Sequence, residues 1–195
     1  EQLKIDYATL SAINPRIVYC ENTAFGRQGP LARRGGYDIV VQALTGLMAG
    51  EAKLDGDVPT YVYPAIGDYA TGIQMSNAIC AALYHREKTG KGQRIDCTLM
   101  GTAMAMQTSQ FTWLEMFDDE VIPPMLESLK QARSEMKTFT QQVGVHKMFR
   151  PAAAGNIYYR VYQTKDGFIA VGALSMALRI KVMAATGIKD PRFQP

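Results

Sequence analysis

The longest helical pattern in the sequence runs from Asp68 to Lys88 and leads directly into a short β-like run at residues 93–97. Gly90 and Gly92 stop the helix, because glycine readily adopts the left-handed backbone that ends one. A helix of this length needs a core to cover its apolar stripe, and its alternation with strand-like runs favours an α/β fold. The stripe consists of Ile73, Met75, Ala78, Ile79, Ala82 and Leu83.

The residues before this helix alternate between apolar runs and loop-forming segments. Residues 17–20 form a compact apolar run that predicts a buried strand, after a short helix from Tyr7 to Ile13. Asn14-Pro15 closes that helix, since proline disfavours helical backbone in the residue before it. The composition predicts a glycine- and arginine-rich loop over 22–36, a helix over 38–48, an irregular segment over 51–64 and a helix over 99–117.

The last third of the sequence changes character. Residues 118–155 are mostly polar and predict a partly helical connection between two domains. Two β-rich runs, 157–163 and 168–172, flank a turn in which Asp166-Gly167 is expected to supply positive φ angles. A helix from Ser175 to Ala185 follows. We therefore expect three parts: a large α/β domain over 1–117, the connection over 118–155 and the start of an α+β domain over 156–195.

The composition excludes several classes of function. A net charge of +3 without a basic stripe gives no reason to expect nucleic-acid binding. The three cysteines are far apart and only two histidines are present, so no metal site is expected. Reduced thiols predict a cytoplasmic protein.

No apolar run is long enough to predict a membrane span. The sequence lacks an initiating Met, and we expect it to be a piece of a longer chain.

Asp68 is the most informative candidate site residue. It follows Gly67 and directly precedes the long helix, where an aspartate most simply serves as an N-cap for an unpaired backbone N–H. The alternative is a carboxylate held at a helix start to attack a carbonyl carbon, as covalent catalysis requires. A capped geometry would also hold a nucleophile in place, so both interpretations stay open from the residue alone.

The other polar candidates carry weaker signals. The loop from Arg27 to Gly36 could cradle a phosphate with its backbone N–H groups, but it lacks the Gly-Lys-Ser/Thr of a P-loop. Its arginines are as readily explained as solvated surface charges. His85 and His146 lie in no recognisable setting for a nucleophile.

Two ordered segments resemble the family III coenzyme-A transferases and the related α-methylacyl-CoA racemases. The first comprises Asn14-Pro-Arg-Ile-Val-Tyr, Phe25-Gly, Gly29-Pro and Gly36-Tyr-Asp38. The second comprises Gly67-Asp68 and Ala81-Ala-Leu-Tyr-His-Arg-Glu-Lys-Thr-Gly-Lys-Gly-Gln-Arg-Ile-Asp96. The run from Val161 to Gly172 is similar to the opening of that family's small domain.

The resemblance implies a protein about twice this long, whose two subunits interlock as a homodimer. This chain would be a portion of a Rossmann-like large domain followed by the start of a smaller α+β domain. It would begin after the strands that supply much of the CoA site and end before a glycine-rich loop over the active site.

The resemblance also implies a mechanism. Asp68 would attack an acyl-CoA thioester, and an aspartyl-CoA thioester would then pass coenzyme A to a carboxylic acid. Gly36, Tyr37, Asp38 and Gly67 would line the substrate and CoA site. The implied partners are an acyl-CoA and a carboxylic acid; no tightly bound cofactor and no metal are implied, because the CoA thioester is itself a substrate.

Two alternatives remain at this point. Racemases pair the same aspartate with a histidine in a Gly-His-Asp triplet, where this chain has Gly36-Tyr37-Asp38. With a reference pKa of about 10, tyrosine is a poor proton acceptor near neutral pH, which favours transferase over racemase or epimerase. The other alternative is an inactive remnant, since parts of the sheet and of the CoA site would lie outside the 195 residues.

Overall fold

A computed structural model describes residues 3–51, 53–108, 112, 114–149 and 156–193. The fold is mixed α/β, and the chain divides into two compact units. The first unit holds residues 1–116 and 138–143, and the second holds 117–137 and 144–195. The predicted domain boundaries at 117 and 155 stay a prediction.

The secondary structure follows in chain order. The elements up to residue 105 are α1 Tyr7–Ile13, β1 Val18–Thr23, α2 Asp38–Thr45, α3 Leu47–Glu51, β2 Leu54–Asp55, β3 Val58–Pro59, α4 Ile66–Thr89, β4 Gln93–Thr98 and α5 Leu99–Ala105. The later ones are α6 Glu115–Ser134, α7 Phe139–Phe149, β5 Tyr159–Gln163, β6 Phe168–Gly172, α8 Met176–Thr186 and a 3₁₀ turn Pro191–Phe193.

Strands β1 and β4 form a parallel pair whose register runs from Val18 opposite Gln93 to Thr23 opposite Thr98. Parallel strands need a crossover connection, and α4 lies within it. The crossover ends in a close approach: the N–H of Gly92 donates to the carbonyl of Pro15 over 2.9 Å. A Cβ at Gly92 would lie 1.9 Å from the carbonyl oxygen of Ile17, so only glycine fits there.

The core of the first unit lies between α2, α5 and the residues after β1. Ala24, Val41, Leu99 and Ala103 form its buried cluster, with Phe25 and Met100 packed against it. The loop before α2 rests on this cluster at Gly36, where a Cβ would lie 2.9 Å from the Cβ of Ala24. The start of α2 is therefore held by packing.

Several predicted elements of the first unit are confirmed, with corrected boundaries. Helix α1 has the predicted bounds, whereas β1 continues to Thr23 and shortens the predicted loop over 22–36. The predicted helix over 38–48 is two helices, because Gly46 adopts φ 80° and ends α2. The segment 51–64, expected to be irregular, contains the β2–β3 hairpin, whose strands are too short for periodicity to reveal.

The helices around β4 also differ from expectation. Helix α4 begins at Ile66 and not at Asp68, and ends at Gly90 as predicted, with φ 72° there. Thr98 caps α5 by accepting a 2.9 Å hydrogen bond from the N–H of Gly101. The predicted helix over 99–117 was wrong in length, because α5 ends at Ala105 and α6 begins at Glu115. Residues 109–111 and 113, inside that prediction, lie outside the described residues.

The polar segment 118–155 is largely helical where it is described. Helix α6 contains Pro123 and Pro124, which lack the N–H groups of a helical ladder and obscure the helix in the sequence. Helix α7 begins after Thr138, and the N–H of Thr140 donates to the Asp57 carboxylate over 2.8 Å. Residues 150–155 of the predicted connection lie outside the description.

The second unit contains the predicted hairpin and helix. Strands β5 and β6 pair antiparallel, and the N–H of Thr164 donates to the carbonyl of Gly167 over 2.8 Å. The expected positive φ angles at Asp166-Gly167 were wrong, since neither residue has one. The loop has four residues, and hairpin loops of this length are most often built around a type I turn, which needs no positive φ angle. Helix α8 begins at Met176, and Ser175 caps it.

A polar cluster around the buried Asp190 carboxylate stabilises the second unit. The hydroxyl of Tyr158 donates to the Asp190 carboxylate over 2.9 Å, and the guanidinium of Arg192 donates to the same carboxylate over 2.7 Å. Asp190 is only 4% exposed. The hydrogen bonds from Arg192 hold the pKa of Asp190 well below its usual range.

Across the described ranges, no helix is both long and apolar enough to cross a membrane. The Rossmann-like arrangement stays a prediction, since β1 and β4 form a two-stranded sheet among these residues.

Gly92→Ala is expected to destabilise the protein by about 3 kcal/mol, because the added methyl group would collide with the backbone of residues 16 and 17. Urea denaturation of the full-length protein measures the change. Gly35→Ala is the matched control: a Cβ added at Gly35 would have no neighbour within 4 Å, and a change within about 0.5 kcal/mol is expected. Equal stability of the two variants would contradict the close approach.

Asp190→Asn is expected to lower stability at neutral pH and to lose this effect in acid. Because the folded-state pKa of Asp190 is depressed, its stabilisation is present above the unfolded pKa of about 3.9. That stabilisation is lost as the pH falls through the lower folded pKa. The gap in urea midpoint between wild type and variant should therefore narrow below about pH 4. Asp166→Asn, at an exposed acceptor in the same unit, should show no such gap.

Candidate active site

Asp68 is the third residue of α4, in the turn where the helix begins. Its side chain is exposed and lines an open depression of about 720 Å³. The other lining residues follow one face of the helix and its start: Ala65, Tyr69, Gly72, Ile73 and Ser76. Within the described part of the chain, no hydrogen bond or ion pair engages the Asp68 carboxylate. That carboxylate is therefore accessible to a ligand in the depression.

The interpretation of Asp68 as the N-cap of the long helix was wrong. The N-cap is Ala65, whose side chain makes no capping hydrogen bond. A helix start leaves backbone N–H groups without intrahelical partners, and these must be satisfied from elsewhere. Asp68 instead lies inside the first turn, where a negative charge is favoured by the helix dipole.

The missing cap is supplied by Asp38, the first residue of α2. One oxygen of its carboxylate, Oδ1, accepts from the N–H of Gly67 over 2.8 Å and from the N–H of Asp68 over 3.3 Å. Asp38 is only 7% exposed. A carboxylate that accepts backbone N–H groups at a helix start makes strong, charge-assisted hydrogen bonds. The first turn of α4 is thereby attached to α2.

Gln42 extends this attachment to the segment that leads into α4. Its side-chain amide donates to Oδ2 of Asp38 and also donates to the carbonyl of Val62 over 3.1 Å. The amide oxygen of Gln42 accepts from the N–H of Val62 over 2.7 Å. The side chain of Gln42 therefore binds the Val62 backbone in both directions, four residues before α4 begins.

Gly67 is required by this geometry. A Cβ at Gly67 would lie 2.6 Å from Oδ1 of Asp38, well inside contact distance. The carbonyl of Gly67 accepts a 2.7 Å hydrogen bond from the hydroxyl of Thr71, a residue that is 1% exposed. Gly67 thus serves as a buried backbone contact between α2 and α4.

The structure brings three of the predicted site residues together, namely Asp38, Gly67 and Asp68. Tyr37 directly precedes α2 and is 81% exposed, but no described ring contact or hydrogen bond joins its side chain to Asp68. Gly36 faces Ala24 and Phe25.

Sequence reasoning missed Gln42 and Val62. The available signal was a polar pair, Asp38 and Gln42, four residues apart in a helix whose other residues, except Thr45, are apolar.

The remaining polar candidates lie elsewhere. Arg27 pairs with Glu21, which also accepts from Arg94 over 3.1 Å, so Arg27 is engaged by a carboxylate. Arg33 and Arg34 are exposed.

His85 follows Asp68 by 17 residues on the same helix, about 25 Å along the axis at 1.5 Å per residue. The two cannot form a proton-transfer pair. No group of three or more metal-ligating side chains is assembled within the described ranges.

The whole chain, residues 1–195, matches the model of a protein family described as CoA-transferase family III. The succinyl-CoA:glutarate CoA-transferase of Mus musculus is 32% identical over 172 residues, which cover 88% of this chain and 34% of the relative. The acetyl-CoA:oxalate CoA-transferase of Acetobacter aceti is 37% identical over 114 residues, covering 58% of this chain and 29% of the relative. The chain spans about a quarter to a third of the length of the curated relatives it matches.

Solved structures show a similar fold. A CAIB/BAIF family protein from Brucella suis matches with a TM-score of 0.58 and 26% identity over 98% of this chain and 45% of that one. Rv3272 from Mycobacterium tuberculosis matches with a TM-score of 0.67 and 22% identity over 99% of this chain and 45% of that one. The second likeness, at this identity, concerns the fold alone.

Gly67→Ala is expected to destabilise the protein by about 2 kcal/mol, because the added methyl group displaces the Asp38 carboxylate from the start of α4. Gly72→Ala is the matched control on the same helix. Nothing lies within 4 Å of its Cβ position, and alanine is expected to stabilise the helix by up to about 1 kcal/mol. Thermal and urea denaturation of the full-length protein measure both changes. The same sign of change in both variants would contradict the described contact.

Proposed function

This chain belongs to CoA-transferase family III, and we propose that the protein carrying it moves coenzyme A from an acyl-CoA donor to a carboxylic acid through Asp68. The observation that supports this most directly is the placement of the Asp68 carboxylate. It is exposed at the rim of an open depression, while its own backbone N–H is bound by Asp38. A nucleophile needs an accessible reactive atom on a fixed backbone, and Asp68 has both features.

The proposed reaction proceeds through four exchanges at the Asp68 carboxyl. A carboxylate oxygen of Asp68 attacks the carbonyl carbon of the thioester. The C–S bond breaks, CoA thiolate departs, and a mixed anhydride forms between Asp68 and the donor acid. The thiolate then attacks the carbonyl carbon of Asp68 and releases the donor acid, forming an aspartyl-CoA thioester. The acceptor carboxylate attacks that thioester to give a second anhydride and thiolate. The thiolate finally attacks the acceptor carbonyl and releases the new acyl-CoA with the Asp68 carboxylate restored.

The acceptor proposed here is a small dicarboxylic acid. The names of several relatives contain glutarate, oxalate or mesaconate, each of which carries two carboxyl groups. The names of their donors are succinyl-CoA and acetyl-CoA. Succinyl-CoA, acetyl-CoA and formyl-CoA are therefore the first donors to assay, with these three acids as acceptors.

The same proposal includes the finer features that the family resemblance implied. They are a Rossmann-like large domain, the boundaries at 117 and 155, an interlocked homodimer and a cytoplasmic location. Gly36 and Tyr37 would line the substrate and CoA site, with no tightly bound cofactor. The free thiols of Cys20, Cys80 and Cys97 are compatible with a reducing compartment.

Asp68→Ala in the full-length protein is expected to lower the transfer rate by at least about 1,000-fold, since Asp68 carries the only carboxylate among the described residues that line the depression. Incubation with an acyl-CoA donor and hydroxylamine should place a hydroxamate on Asp68, which peptide mass spectrometry locates. Asp55→Asn, at an exposed carboxylate in β2, should retain wild-type rates.

Intact transfer activity in Asp68→Ala would contradict this mechanism. Exchange of the α-proton of the acyl-CoA with deuterium in the absence of acyl transfer would instead indicate a racemase or epimerase.

A further inference from the structure

Asp38 is a buried carboxylate whose described partners are all neutral donors. Its two oxygens accept from the N–H groups of Gly67 and Asp68 and from the amide of Gln42. Among the described residues, no lysine or arginine forms an ion pair with it. A buried charge is costly unless it is hydrogen-bonded, and the positive end of the α4 dipole supplies the compensation. The Asp38 carboxylate and the first turn of α4 therefore stabilise each other.

Gln42 fixes a second point on the path into α4. It is 1% exposed, and its amide is fully occupied by Asp38 and by both backbone groups of Val62. The chain is thus held at Val62 and again at Gly67, on either side of the depression's first lining residue, Ala65. Two anchors this close restrict both the position and the direction of the helix start.

Helix α2 is a rigid base for these anchors. Val41 is 0% exposed within the core cluster, and Gly36 packs on Ala24 just before the helix. Movement of Asp38 or Gln42 away from α4 would therefore require repacking of the core.

We propose that Asp38 and Gln42 are positioning residues that hold the first turn of α4 so that the Asp68 carboxylate faces the depression in a reactive orientation. This inference rests on the proposed role of Asp68 as the nucleophile. Neither residue touches the reacting atoms: both are buried, and both act through the backbone of residues 62, 67 and 68. Their contribution is to the rate of attack and not to the binding of the CoA thioester.

Replacement of either side chain should therefore slow the attack of Asp68 on the thioester without weakening the binding of the CoA thioester. Asp38→Asn retains the shape but removes the charge, and its amide N–H₂ cannot accept from Gln42. Gln42→Met retains the length but removes every hydrogen bond to Asp38 and Val62. A misplacement of about 1 Å can cost 10²-fold in rate, so we expect the acylation of Asp68 to slow by about that factor. The dissociation constant of the CoA thioester should change by less than about threefold.

The experiment measures single-turnover trapping of Asp68 by hydroxylamine in the full-length protein. The donor is the fastest among succinyl-CoA, acetyl-CoA and formyl-CoA. Variants are Asp38→Asn, Gln42→Met and the double variant, whose effects should be less than additive because the two side chains form one network. Gln107→Met is the matched control: Gln107 is also a buried glutamine with hydrogen bonds to backbone carbonyls, but none of its described hydrogen bonds reaches α4 or Val62. It should lower stability and leave the trapping rate within about threefold of wild type.

Three outcomes decide the inference. Slower trapping in both single variants at unchanged thioester affinity, with normal trapping in Gln107→Met, supports it. Trapping at the wild-type rate in folded Asp38→Asn or Gln42→Met overturns it, as does an equal loss in Gln107→Met. If Asp38→Asn fails to fold, Gln42→Met alone decides. Asp68→Ala in the CoA-transfer assay separates the two proposals, because transfer that persists without Asp68 refutes the nucleophile and not merely its positioning.

Discussion

The contact between the Asp38 carboxylate and the start of α4 is the interaction on which the candidate site depends. Helix α4 begins without a capping side chain of its own, and Asp38 satisfies its N–H groups from 29 residues earlier in the sequence. A buried carboxylate is costly unless it accepts hydrogen bonds, and the N–H groups at a helix start lack intrahelical acceptors, so each group satisfies the other. The two helices that carry Asp38 and Asp68 are therefore joined at the point where the accessible carboxylate lies.

This arrangement separates two tasks that one aspartate would otherwise perform. An aspartate that caps its own helix uses its carboxylate oxygens as acceptors for backbone N–H groups. Here Asp38 accepts those hydrogen bonds, and the carboxylate of Asp68 is left exposed within the first turn of α4. The absence of a side chain at Gly67 is a condition for both, because any Cβ there would occupy the space of the Asp38 carboxylate. Asp38 thus caps α4 while the carboxylate of Asp68 remains accessible.

Most helices and strands could be predicted from local patterns, and the errors share a physical cause. Helices α1, α4 and α8 and strands β1 and β4 carry periodicity or stop signals within their own residues. The split at Gly46 and the β2–β3 hairpin depend on single turns that an averaged pattern does not resolve. Helix α6 was obscured by Pro123 and Pro124, which weaken the local preference without preventing the helix.

The sequence by itself determined the mixed α/β composition, the long helix, its glycine stop and the ordered motifs that place the chain in its family. These features depend on residue type and spacing, which are local properties. Only the tertiary structure decided which aspartate caps α4. That choice depends on a contact across 29 residues, made possible by the packing of α2 on the core and by the absence of a side chain at Gly67. Asp38 and Asp68 are the same residue type at similar helix starts, and their tertiary surroundings distinguish them: the buried Asp38 carboxylate holds the backbone of α4, and the exposed Asp68 carboxylate is available for chemistry.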